Sequence, residues 1–223
     1  MKIPDTDFAN FASLNPLTQR TELVLFNTFH PSLNYYPFRK IAETVLNISS
    51  FEKFTSRPDF GYLVEQIIKY SNRKDSEKYG QLIKLNLKAL RAFYDFSVDH
   101  DVHGVRENFG TFLYTQEGGI KPFSESVIFI DNVPYITFFD MRAKNHLTPM
   151  GQKFVFSVMH HHIRMRYPDL MDIELAILHL KNPTKKIRQV QLIASEQMTL
   201  FTLQELEQMV VNLFKEIRFV AAA

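Results

Sequence analysis

The stretch YITFFDMR, residues 135–142, joins an acid to a cation at a spacing that chemistry can use. In a strand alternate side chains share a face, so Ile136, Phe138, Asp140 and Arg142 point one way, and the last two reach a common site at the strand end. Metal-dependent phosphodiester hydrolysis needs carboxylates to hold Mg²⁺ and a cation to orient water or steady developing charge, which is the chemistry such a pair supports. The preceding segment, SESVIFID, supplies Glu125 near its start and Asp131 at its turn end, positions too far apart along a strand to favour one shared ion. The plainer reading of Asp140 and Arg142 is a salt bridge closing a strand end.

Two histidine groups invite a metal reading. His160, His161 and His162 are consecutive, and consecutive helical residues sit about 100° apart around the axis, so three in a row do not converge on one ion. One packed against a sheet and two facing water is the expectation. Asp99, His100, Asp101 and His103 form a tighter cluster whose His-Asp step suits a helical metal phosphohydrolase, although a turn built on Asx chemistry explains the same residues.

The elements that must position these groups change character along the chain. Up to about residue 100 the apolar spacing is helical: Pro16 opens a segment with Leu17, Leu23, Phe26 and Phe29, and the longest candidate, from Ser76, carries Leu82, Ile83, Leu85, Leu87, Leu90 and Phe93. After Gly110 the pattern becomes that of strands. TFLYTQ, SVIFID and PYITFFDMR read as a three-stranded meander punctuated by Gly118-Gly119 and by Asp131-Asn132. Thr148 and Pro149 then cap and open a helix that Pro168 stops, IELAILHL and RQVQLI follow as strands, and a last helix spans about Leu203 to Ile217. Fold class is therefore α+β: a helical extension, residues 1–75, before a core, residues 76–220, ordered helix, three strands, helix, two strands, helix.

Composition removes several function classes. The 223 residues include no cysteine, which excludes disulfides and zinc-thiolate sites, and a formal charge of +2 gives no whole-chain attraction to nucleic acid. A local basic edge remains available from Lys185, Lys186 and Arg188 with Arg164 and Arg166. The 21 phenylalanines fall mostly at core positions and read as packing. No nucleotide-cradling glycine loop or serine elbow occurs, and no window has the roughly 18 apolar residues of a membrane span, so a cytoplasmic protein without membrane contact is expected.

From about residue 76 to 218 the order of elements resembles that of the PD-(D/E)XK nucleases, in particular their RecB-like branch. The corresponding pieces are Glu125, the step Asp140-Met141-Arg142, and Gln152 with Phe156 at the start of the following helix. The resemblance implies a restriction-endonuclease-like core and a Mg²⁺ site made by Glu125 and Asp140, acting on DNA or RNA. Arg142 or Lys144 would be the catalytic cation, with Gln152 steadying phosphate or water. Arg142 stands where that family has lysine, and a guanidinium neither deprotonates nor positions water as an amine does. The signature is degenerate, and the alternative is a catalytically inactive scaffold that binds nucleic acid or, through the helical N-terminal half, a protein partner.

Overall fold

The computed structural model describes residues 3–28, 34–49, 57–71, 76–115, 118–120, 123–124, 126–142, 145–184, 187–196 and 198–222. Its centre is a six-stranded mixed sheet in the order β1-β2-β5-β6-β7-β8, formed by β1 (Ile48–Ser49), β2 (His103–Arg106), β5 (Ser126–Ile130), β6 (Val133–Asp140), β7 (Glu174–Lys181) and β8 (Gln189–Ala194). A separate hairpin, β3 (Leu113–Thr115) with β4 (Gly118–Ile120), lies outside it.

Strand periodicity explains the layering. Along β5 and β7, Val127, Leu175 and Ile177 enter one apolar cluster, while Ile128, Ile130, Leu178 and Leu180 enter the other. Each face of the sheet is thus apolar and must be covered. The first face receives α1 (Asp5–Ala12), α2 (Pro16–Thr28), α7 (Pro149–Arg166) and α8 (Leu203–Ala222); the second receives α3 (Tyr36–Arg39), α4 (Ala42–Val45), α5 (Phe60–Ser71) and α6 (Ser76–Asp99). The result is an α+β chain with eight α-helices among the described residues, arranged as helix, sheet, helix.

Local chemistry fixes the joints. Asp131 and Asn132, at φ of 51° and 66°, make the two-residue turn between β5 and β6, a conformation that Asn and Asp tolerate and that matches strand twist. The Thr148 hydroxyl accepts the Gly151 N–H at 3.0 Å and Pro149 opens α7, as the sequence predicts. Because α7 carries the chain across the sheet, β6 and β7 pair in parallel. Thr202 and Glu205 reciprocate at the start of α8: the Thr202 N–H donates to the Glu205 carboxylate at 2.7 Å, and the Glu205 N–H to the Thr202 hydroxyl at 3.2 Å.

The expected meander needs one correction. Leu113–Thr115 does not join β5 and β6; it pairs with β4, whose Gly118 and Gly119 are strand residues. The third antiparallel strand beside β5 is β2, which begins at His103, the last residue of the Asp/His cluster. Gly104 makes that pairing possible, since a Cβ there would stand 2.5 Å from the Val127 carbonyl oxygen.

Candidate functional site

The carboxyl ends of β6 and β7 bring together the groups with most chemical potential. The parallel register sets Asp140 opposite His179. Asp140 is fully buried, accepting the Leu147 N–H at 2.8 Å on Oδ2 and lying 3.2 Å from His179 Nδ1, with the Thr6 hydroxyl of α1 at 3.5 Å from Oδ1. His146, exposed, stacks edge-on against the His179 ring with centroids 4.6 Å apart. From α1, Asn10 braces the same loop, accepting the Thr148 N–H at 2.9 Å and donating to the His146 carbonyl at 3.0 Å.

Arg142 turns elsewhere. The strand ends at Asp140, and the guanidinium makes a bidentate pair with Asp7 of α1 at 2.5 and 2.7 Å. The alternation that would hold Asp140 and Arg142 on one face stops with the strand, so the two take different partners. Gln152 stands half-buried in the first turn of α7 with its N–H on the Thr148 carbonyl. Glu125 and Lys144, the other two residues named for catalysis, lie outside the described residues, as do Lys185 and Lys186 of the basic edge.

Beside this cluster a cleft of about 280 Å³ opens, lined by Asp5, Thr6, Arg39, Ser126, Thr137 and Met141 among others. Burial of the Arg39 guanidinium lowers its pKa, with Arg142 adding repulsion and Asp5, Asp7 and Asp140 acting in the opposite direction.

The histidine run spreads around its helix as its spacing requires. His162 is buried with Nε2 on the Phe109 carbonyl, His161 meets the Phe201 carbonyl at 2.8 Å, and His160 is half-buried beside it. The Asp/His cluster also disperses: Asp101 takes a positive φ of 42° in the turn after α6, His100 pairs with Asp131 at 2.8 Å, and His103 starts β2 stacked on Phe129. The sequence reading missed Asp7, His146 and His179. For His179 a signal existed, a histidine inside the apolar run LAILHL, where a buried polar group demands a partner.

The comparisons with known proteins decide the family. The family described as sliding clamp-binding bacterial toxin SocB matches residues 6–220, from α1 to α8. The chain belongs to that family. The DNA replication inhibitor toxin SocB of Caulobacter vibrioides (strain NA1000 / CB15N) is 25% identical over 205 residues, covering 88% of this chain and 84% of the toxin. No solved structure matches. This match overturns the PD-(D/E)XK resemblance and with it the reading as a Mg²⁺-dependent nuclease with a degenerate site. The resemblance rested on the order of helices and strands, and element order is shared by unrelated functions. Among the described residues no helix is long and apolar enough to cross a membrane.

Proposed function

We propose that this protein arrests DNA replication by binding the sliding clamp. The observation that carries the reading is the extent of the family match, which runs through the N-terminal helices, the sheet and the last helix alike, and the Caulobacter relative is named as a replication inhibitor. The mode of action is then contact with a protein, in keeping with a chain of near-neutral charge. Residues 1–75 serve, in this reading, as a mainly helical extension that clasps the 76–220 core and adds the edge strand β1 to its sheet.

Two features offer apolar docking surface. On α2, Leu17 and Leu25 stand exposed. Between β8 and α8, Met198, Leu200 and Phe201 are only half-buried on a stretch that is neither helix nor strand, a form of chain that partner pockets readily accept.

The test is binding of the purified full chain to the purified sliding clamp of its own organism by surface plasmon resonance, together with primer extension by the clamp-dependent polymerase. Saturable binding and a matching block of extension are expected. Absence of binding, with extension unaffected, overturns the proposal. Leu17→Asp with Leu25→Asp, against Leu200→Ala with Phe201→Ala, each checked for folding by circular dichroism, locates the docking face.

A further inference from the structure

We infer that Asp140, His146 and His179 form a binding site for a divalent transition-metal ion of the zinc class. Each offers one ligand atom, and the three atoms lie within 4.8 Å of one another. Two imidazoles and one carboxylate make a donor set that suits Zn²⁺ and its neighbours far better than Mg²⁺, which prefers oxygen.

The distances suit a shared ion as well as a hydrogen bond. Asp140 and His179 approach at 3.2 Å, longer than the roughly 2.7–2.9 Å of a charge-assisted hydrogen bond. Ligands held about 2.0–2.1 Å from a tetrahedral zinc stand about 3.3 Å apart, so this pair already has the separation of two neighbours in a coordination shell. His146 completes the set. Its Nδ1 faces the Leu147 carbonyl at 3.0 Å, which fixes that nitrogen as the donor and leaves Nε2 as the metal-binding atom. One imidazole nitrogen of His146 lies within 4.8 Å of the other two ligand atoms, at most about 1.5 Å beyond that edge length. Its side chain is exposed, so the ring can turn toward the pair while Asn10 holds the backbone.

An outer layer is already present. The Leu147 N–H and the Thr6 hydroxyl hold the Asp140 carboxylate, and Asn10 holds the His146 backbone, so α1 orients two of the three ligands. A fully buried carboxylate receiving one short hydrogen bond from an N–H gains further compensation from a bound cation. Three protein ligands leave a fourth position open to water. The ion would fasten the ends of β6 and β7 to the start of α7, independently of any clamp contact.

The experiment is titration of the metal-free full chain with Zn²⁺ in a competition assay against a chromophoric chelator, with no clamp present, and with Mg²⁺ as the control. One equivalent of Zn²⁺ and no Mg²⁺ response are expected. His146→Ala, an exposed position whose loss leaves the fold intact, should weaken Zn²⁺ affinity at least tenfold and abolish the rise in Tm that Zn²⁺ gives the wild type; His179→Gln should weaken it similarly. Co²⁺ in place of Zn²⁺ should give intense visible bands that His146→Ala removes. Wild-type affinity in His146→Ala, absence of stoichiometric binding, or binding lost instead on His160→Ala with His161→Ala, each overturns the assignment.

Discussion

Removal of the ion pair between Arg142 and Asp7 tests how α1 is held to the sheet. Both side chains are largely covered, 17% and 13% exposed, and the pair is bidentate. Exposed pairs contribute about 0.2–1 kcal/mol, while breaking a fully buried one costs about 3–5 kcal/mol, so a loss of about 2 kcal/mol is expected here. In a domain of this size that lowers Tm by about 4–8 °C. The two halves should not be equivalent. Asp7→Asn leaves Arg142 facing Arg39 with its acid gone, whereas Arg142→Gln leaves Asp7 within the field of Arg39, so Asp7→Asn should be the more damaging change. Urea unfolding of the wild type, both single variants and the double variant gives the coupling directly. A double variant destabilised by less than the sum, by about 1 kcal/mol or more, supports the reasoning; additivity within about 0.3 kcal/mol refutes it.

Gly104→Ala should destabilise the chain by about 3 kcal/mol, because the new methyl meets the Val127 carbonyl at 2.5 Å and the Ile128 Cα at 3.0 Å, both backbone atoms that cannot rotate away; urea unfolding measures it. Burial, the leading cause, lowers the His162 pKa, with the Phe109 hydrogen bond opposing and Arg166 assisting. Among the described residues its Nδ1 has no partner, so protonation would add a buried N–H without an acceptor there. A folded-state pKa below the unfolded value near 6.5 means that the unfolded chain binds more protons, so this contribution to stability is present above about pH 6.5 and is lost as pH falls toward the folded pKa. Urea midpoints at pH 7.5, 6.5 and 5.5 should fall with acidification, and less steeply in His162→Gln; identical slopes would remove His162 as the cause.

Long helices and hydrophobic strands were legible because their apolar periods are unbroken: the heart of α6, the cap of α7 and the turn at Asp131-Asn132 could be placed from residue types alone. β2 was not, since the one fully buried residue of HGVR is Gly104, which has no side chain to mark it, and the strand owes its place to pairing with β5 rather than to its own pattern. The candidate site was half legible. Asp140 stood out by its place in an apolar strand, but its partners come from α1, the loop before α7 and β7, and the parallel register that sets His179 beside it depends on the α7 crossover. Arg142 misled because alternation was extended beyond the last paired residue, where the chain leaves the sheet and α1 captures the guanidinium. Family membership was not legible from element order, which many unrelated proteins share.

The cover that α1 and α2 provide has a consequence for synthesis. These helices leave the ribosome well before α7 and α8, to which the surfaces they pack against belong. At about 5–20 residues per second the buried sides of Ala9, Phe11 and Leu23 therefore wait about 10–40 s for their partners. During that interval nascent-chain binding factors and proteases meet an N-terminal segment that cannot yet bury itself, and the finished shape arises late, once the last helix is free to close over it.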